Sequence, residues 1–232
     1  MTDIRFLCCT ERKTIVTGHY GSGKTEFSIS LAMHLAAQSA QKIAVVDLDI
    51  VNPYFRSREQ RKLLEGVGIS VYGSCFEDEI TAELPAIGAQ IRTPLEDSQC
   101  RVIIDLGGND VGALVLNQFS KYFLTDTTVL AVVNASRPET GTLSGALAHI
   151  KAIENAAGLS VTGIVNNTHM LSDTTAKTVK KGYDLCMSIC ENTGLKLFFN
   201  CYPDGKVNPD DLMTLSGTLL PIGLYLRPTW LD

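Results

Sequence analysis

The strongest constraint on this chain is a glycine-rich pattern that lies between an apolar run and an amphipathic run. Within residues 14–36, TIVTGHYGSGKTEFSISLAMHLA, the pattern G-x-x-x-x-G-K-[ST] is matched by Gly18, Gly23, Lys24 and Thr25. The apolar run predicts a strand and the amphipathic run predicts a helix, which is the context that this pattern requires. A strand, a glycine loop and a helix in this order predict a phosphate-binding loop.

Each position of the predicted loop has a physical role. Gly18, Gly21 and Gly23 can take backbone angles closed to other residues, so consecutive N–H groups can turn towards phosphate oxygens. Lys24 would reach the β and γ phosphates, and Thr25 would ligate Mg²⁺. The predicted nucleotide contacts of this loop are Gly18, His19, Tyr20, Gly21, Ser22, Gly23, Lys24, Thr25 and Glu26. The alternative is a glycine turn that binds nothing, but the fixed positions match by chance in only about one such chain in a hundred.

Short apolar runs alternate with longer amphipathic runs along the whole chain. The runs that predict strands cover residues 14–17, 43–47, 69–72, 102–105, 129–133, 161–165 and 195–199. Helical patterns lie at residues 26–38, 53–66, 139–156 and 174–192. This β-α-β-α order predicts an α/β fold, a P-loop NTPase three-layer sandwich with a mostly parallel central sheet and helices on both faces. Residues 200–232 are rich in turn residues and predict loops with one edge strand.

The composition is that of a globular protein with no feature that divides it. Of 232 residues, 45% are hydrophobic and 19% are charged, so a single P-loop nucleotide-binding domain over residues 1–232 is predicted. The net charge of −5 makes nucleic acid an unfavourable partner. We find no signal-peptide pattern and no run near the roughly 20 apolar residues of a membrane span. We therefore expect a cytoplasmic protein without a membrane anchor.

Acidic residues end two of the predicted strands. Asp105 lies in RVIIDLGGND, and Asp47 and Asp49 lie in IAVVDLDIVN. The carboxyl ends of parallel strands form the edge at which α/β sheets bind ligands. Asp105 would hold Mg²⁺ through water, and Gly108 could offer its N–H group to a γ-phosphate. The alternatives are a helix cap for Asp105 and a capped loop start for the other two aspartates.

The ordered motifs GHYGSGKT, VVDLDIVN and VIIDLGGND resemble those of the CobQ/CobB/MinD/ParA group of P-loop ATPases. The resemblance covers most of the chain. It implies that Asp49 positions the attacking water and, with Lys24, forms the catalytic pair. It also places Asp47 nearer the Mg²⁺ site, so that the expected metal residues are Thr25, Asp47 and Asp105.

The segment VTGIVNNTH resembles the part of the same group in which an asparagine contacts the adenine edge. Asn166 and Asn167 are the candidates, because an amide can both donate to and accept from adenine. GTP-specific relatives typically carry N/T-K-x-D here, whereas Thr168 and His169 follow in this chain. ATP with Mg²⁺ is therefore the expected ligand pair, and a solvated turn is the alternative for either asparagine.

The phosphate loop departs from that of the resembled group at one position. The group reads G-K-G-G-x-G-K-T, with an early lysine that reaches across a dimer, whereas His19 stands at that position here. A histidine with an ordinary pKa is mostly neutral at pH 7. We expect slow basal hydrolysis, with any acceleration supplied by Arg56, Arg58, Arg137 or a separate partner. Two other interpretations remain. The protein can form a homodimer that does not use this lysine, and His19 can serve only to line the loop.

Two functions agree with these patterns. The first is a slow Mg²⁺-dependent ATPase that acts as a nucleotide switch on a partner protein. The second is an ATP-dependent small-molecule synthetase or kinase of the same superfamily. A basic run, NPYFRSREQRK, contains Arg56, Arg58, Arg61 and Lys62. This run predicts a solvated helix face, and the alternative is a partner surface that depends on nucleotide state.

Overall fold

A computed structural model describes residues 11–48, 60–73, 84–107 and 116–226 of the chain. These residues form one eight-stranded sheet in the order β3-β2-β4-β1-β5-β6-β7-β8, with every neighbouring pair parallel. The strands are β1 Lys13–Gly18, β2 Lys42–Leu48, β3 Ile69–Tyr72, β4 Cys100–Leu106, β5 Thr127–Val133, β6 Gly163–Asn166, β7 Lys196–Pro203 and β8 Thr218–Ile222. The parallel sheet confirms the predicted α/β class.

Helices cover both faces of the sheet. The α-helices that lie within the described ranges are α1 Lys24–Gln38, α2 Arg61–Gly66, α3 Leu84–Glu96, α4 Leu143–Ala157 and α5 Ala176–Thr193. One core joins the sheet to α1 and α2 through residues such as Phe27 and Leu64. A second core joins it to α3, α4 and α5 through Ile91, Ile150 and Ile189. Because strand side chains alternate between faces, apolar strands are buried in both cores and the three-layer sandwich is confirmed.

The predicted strands are all present, and so is the predicted edge strand, which is β8. The boundaries differ at β6, which begins at Gly163 rather than at residue 161, and at β7, which continues to Pro203. Of the helical pattern at residues 53–66, the structure describes the helix over Arg61–Gly66, and residues 53–59 lie outside the described ranges.

Helix α3 was not predicted from the sequence. Its segment, LPAIGAQIRTPLE, is interrupted by Gly88 and Pro94, residues that disfavour a helix interior. The Arg12 guanidinium donates hydrogen bonds to carbonyl oxygens at and just beyond its C-terminus, those of Pro94, Leu95, Asp97 and Cys100. A residue distant in sequence thus satisfies the carbonyls that a helix end leaves without partners. None of the helices in the described part of the chain is long and apolar enough to cross a membrane.

Candidate nucleotide-binding site

The phosphate loop connects β1 directly to α1. Gly23 caps the helix in the left-handed conformation, with φ 78° and ψ 24°. The first helical bond runs from Phe27 N–H to the Gly23 carbonyl, at 2.9 Å, so the preceding N–H groups have no acceptor within the helix. A methyl group at Gly23 would lie 2.4 Å from Asn167 Nδ2. Only glycine meets both demands, and the start of α1 presents backbone N–H groups in the arrangement that binds anions.

Side chains from the ends of β5 and β6 hold the loop from outside. Asn167 Nδ2 donates to the Ser22 carbonyl at 2.8 Å and to the Gly23 carbonyl at 3.3 Å. Arg137 Nε donates to the Gly21 carbonyl at 2.8 Å. Since the C=O and N–H groups of a trans peptide point in opposite directions, carbonyls fixed outwards leave the adjoining N–H groups on the other side of the loop. The loop is therefore held ready for phosphate by its neighbours.

A cavity of about 350 Å³ opens beside this loop. One end is polar, and its lining includes Lys24, Thr25, Arg137 and Asn167. The other end is mostly apolar and is formed at and just beyond the C-terminal ends of β7 and β8 by residues that include Cys201, Tyr202, Pro203, Ile222, Leu224 and Leu226. Cavities of this size commonly hold small molecules. A polar, cationic end next to an apolar end matches a phosphate chain attached to a planar ring.

Lys24 and Thr25, the predicted phosphate and metal residues of the loop, lie in the first turn of α1. Their exposed fractions are only 5% and 6%, and both line the cavity. A charged side chain is rarely buried to this degree unless it serves a partner group. Both residues therefore lie at the start of α1 beside the cavity, and their contacts with phosphate and Mg²⁺ stay predictions.

Asp47 and Asp105 lie side by side, because β2 and β4 are neighbours and pair these two residues in register. Both are buried. The residues two positions earlier, Val45 and Ile103, belong to the core that contains α1, so alternation points both carboxylates towards the α1 face. Neighbouring carboxylates in a dry site repel each other unless a cation compensates them. The Thr25 hydroxyl is the third oxygen that the sequence predicts for Mg²⁺, and carboxylate and hydroxyl oxygens suit this ion.

Asp49, Gly108, Arg56 and Arg58 lie outside the described residues, so their predicted roles stay predictions. Arg61 and Lys62 of the basic run belong to α2. Arg61 Nη1 lies 3.2 Å from Glu65 Oε1 in an ion pair within the helix, and Lys62 is exposed. This pair agrees with the solvated helix face that the sequence predicts for the end of the basic run.

The two candidate adenine-binding asparagines make different contacts within the fold. Asn166 is fully buried and its Nδ2 donates to the Val179 carbonyl and to Asn200 Oδ1, both at 3.0 Å. These bonds join β6 to α5 and β7. Asn167 lines the cavity, but its Nδ2 holds the phosphate loop. The sequence did not reveal these bonds, because their acceptors lie 13, 34 and 145 residues away along the chain. A contact of either side chain with a base stays a prediction.

His19 and Tyr20 form the outer part of the loop. His19 Nδ1 lies 3.0 Å from the Tyr20 carbonyl, so this nitrogen carries the proton and donates. The imidazole also packs edge to face on His149 of α4, with centroids 5.1 Å apart. Tyr20 lines the cavity and is 64% exposed. The structure therefore places the ring of His19 against α4, next to the loop.

His169 is a site residue that sequence reasoning did not single out. It lines the cavity between Arg137 and the start of α1. Burial, and secondly the charge of Arg137, lower its pKa from 6.5 to about 4. The imidazole is therefore neutral at pH 7. Its position two residues after Asn167 was the signal available in the sequence.

The fold and the glycine loop define the class: this chain has the α/β fold of the P-loop NTPases. No family model matches the sequence, and no curated protein matches it at significant similarity. Solved structures do match. The cell division protein FtsY of Thermotoga maritima superposes with a TM-score of 0.58 at 20% identity, covering 80% of this chain and 60% of that one.

Two nucleotide-bound structures are also similar. FtsY of Elizabethkingia anophelis in complex with GDP gives a TM-score of 0.52 at 18% identity, over 80% of this chain and 55% of that one. The signal recognition particle 54 kDa protein of Aeropyrum pernix, also with GDP, gives 0.54 at 20% identity, over 82% and 41%. This chain thus spans less than two thirds of each of these proteins. The likeness establishes the fold, and the resemblance to the CobQ/CobB/MinD/ParA group is not confirmed by it.

Proposed function

We propose that this protein binds a nucleoside triphosphate with Mg²⁺ and hydrolyses it slowly as a switch. The observation that carries the proposal is the phosphate loop, whose carbonyls are fixed from outside while buried Lys24 and Thr25 face a cavity with an apolar end. This arrangement fits the phosphates and the base of one ligand at the same time.

The residues of the site divide the chemistry of phosphoryl transfer between them. The N–H groups at the start of α1 and the Lys24 ammonium bind the phosphate oxygens. Thr25, Asp47 and Asp105 would hold Mg²⁺, which neutralises charge on the β and γ phosphates. We assign to Asp49 the orientation of the attacking water. Arg137, which is fixed to Gly21 of the loop, supplies a cation at the polar end of the cavity.

We propose ATP as the nucleotide and the CobQ/CobB/MinD/ParA group as the nearest functional relatives. Support comes from the order of the three motifs and from the sequence at the end of β6, NNTH, which departs from N/T-K-x-D. Two of the similar structures are complexes with GDP, so GTP is the competing ligand. Direct comparison of ATP and GTP binding decides between them.

The first experiment measures thermal stability with and without ATP, GTP and Mg²⁺. A ligand present at about 100 times its Kd stabilises the folded state by about 2.7 kcal/mol. We expect this shift with Mg-ATP in the wild type and its loss in Lys24→Ala. Lys151→Ala, an exposed lysine of α4, is the matched control and should keep the full shift. A full shift in Lys24→Ala would place the nucleotide elsewhere.

The second experiment separates hydrolysis from binding. Asp49→Asn should keep ATP affinity and lose turnover, because the change affects water more than the bound phosphates. Phosphate release and gel filtration with ATP and ADP measure turnover and nucleotide-dependent assembly. Weaker ATP affinity with preserved turnover per bound ATP would assign Asp49 to the fold or the metal. ADP release that depends on an added metabolite would instead indicate a synthetase or kinase.

A further inference from the structure

Three side chains on one side of α1 bind the backbone at the end of β8 and just beyond it. Glu26, Ser30 and His34 follow one another at intervals of four residues, so they form a row along the helix. The row begins one residue after Thr25. It therefore connects the phosphate loop to the part of the chain that follows the last strand of the sheet.

Glu26 makes the strongest contacts in this row. Its Oε2 accepts from Tyr225 N–H and its Oε1 accepts from Leu226 N–H, both at 2.9 Å. Hydrogen bonds to a carboxylate are short and stronger than those between neutral groups. Both carboxylate oxygens are engaged, so the side chain fixes two consecutive peptide groups.

The rest of the row continues the attachment towards the strand. Ser30 Oγ accepts from Gly223 N–H at 3.2 Å. His34 Nε2 lies 3.2 Å from the Pro221 carbonyl. The residues from Pro221 to Leu226 are thus held against α1 at successive turns of the helix.

The segment held in this way forms part of the apolar end of the cavity. Leu224 and Leu226 line the cavity. The last ladder pair between β7 and β8 joins Pro203 to Ile222, so both leucines lie beyond the sheet pairing. Glu26 binds the backbone N–H groups of Tyr225 and Leu226. The backbone of this segment is therefore attached to α1, while the Leu226 side chain packs in the core that α1 shares with the sheet.

We propose that Glu26 is a positioning residue for the nucleobase, holding Leu224 and Leu226 at the distance that the base requires. The inference rests on the proposed function of the same cavity. The base packs on Leu224 and Leu226, and the phosphates bind the loop at the start of α1. Glu26 itself lines the cavity, but because both of its carboxylate oxygens are engaged, it acts on the base through the backbone that it binds.

The substitution Glu26→Gln tests this role with little change in shape. A glutamine has one acceptor oxygen and one NH₂ group, so it cannot accept from two N–H groups with two separate oxygens. We expect Mg-ATP affinity to fall about tenfold, the effect of losing one hydrogen bond to a charged group. Inorganic tripolyphosphate with Mg²⁺, which has no base, should bind within about twofold of wild type.

Isothermal titration with both ligands gives the two affinities for each variant. Glu65→Gln changes the same residue type on α2, where Glu65 pairs with Arg61, and should alter neither affinity. Leu226→Ala removes one of the two leucine side chains that line this end of the cavity, and it leaves both backbone bonds to Glu26 in place. It should show the same selective loss of ATP affinity, and it carries the test if Glu26→Gln fails to fold.

The outcomes separate this inference from the proposed function. Equal losses for ATP and tripolyphosphate in Glu26→Gln and Leu226→Ala would overturn the positioning role, because the effect would then act through the phosphate loop. Unchanged ATP affinity in both variants would overturn it as well. A wild-type protein that binds neither ligand would refute the proposed function itself. Binding of tripolyphosphate but not of ATP or GTP by the wild type would refute only the base pocket.

Discussion

Acid should destabilise this protein through His169, and His169→Gln should remove that sensitivity. The imidazole is held neutral by burial and by the nearby charge of Arg137, which together lower its pKa from 6.5 to about 4. Between these two pH values the unfolded chain binds a proton at this position and the folded chain does not. The unfolded state is therefore favoured progressively as the pH falls through this window.

The size of the effect follows from the two pKa values. At about pH 7.5 His169 is neutral in both the folded and the unfolded protein, so its contribution to the free energy of unfolding is close to zero. At about pH 5 the unfolded imidazole is almost fully protonated while the folded one is mostly neutral. The resulting loss of stability is about 2 kcal/mol, and it reaches its limit of about 3 kcal/mol below pH 4.

Urea unfolding at about pH 7.5 and about pH 5 measures this contribution. All other titrating groups are shared, so the difference between wild type and His169→Gln isolates His169. We expect the free energy of unfolding to fall by about 2 kcal/mol less in the variant than in the wild type when the pH is lowered. Equal losses in the two proteins would show that His169 is not held neutral in the fold, and the argument from burial and Arg137 would be wrong.

Three further predictions concern the phosphate loop. Gly23→Ala should lose at least about 1–2 kcal/mol of stability because of the left-handed backbone, and more because the methyl group would contact Asn167. The control is Gly66→Ala, where a methyl group would meet no atom within 4 Å. Equal unfolding midpoints for the two variants would contradict this prediction. Asn167→Ala should weaken Mg-ATP binding in a titration, because it releases the Ser22 and Gly23 carbonyls; unchanged affinity would mean that the loop holds its shape alone. Arg137→Ala should reduce phosphate release on the order of a hundredfold, and normal turnover would remove Arg137 from the proposed chemistry.

The sequence alone determined the features that depend on residues close together in the chain. The loop from Gly18 to Thr25 was predicted because its glycines, its lysine and its flanking runs are neighbours in sequence. Strands were predicted for the same reason, because a short run of apolar residues by itself indicates a buried strand. Helix α3 was missed because Gly88 and Pro94 interrupt its local pattern, and Arg12, which binds the carbonyls at its C-terminus, lies more than 80 residues away.

Only the tertiary structure decided how the site is assembled. The β2–β4 pairing puts Asp47 beside Asp105, and a sequence does not state its strand order. Asn167 reaches the loop across 145 residues, and Glu26 reaches Leu226 across 200. Such contacts produce no periodic pattern in the sequence, because they form only when segments distant in the chain pack against a common core. The lowered pKa of His169 has the same origin, since burial and the charge of Arg137 exist at that position only after the chain has folded.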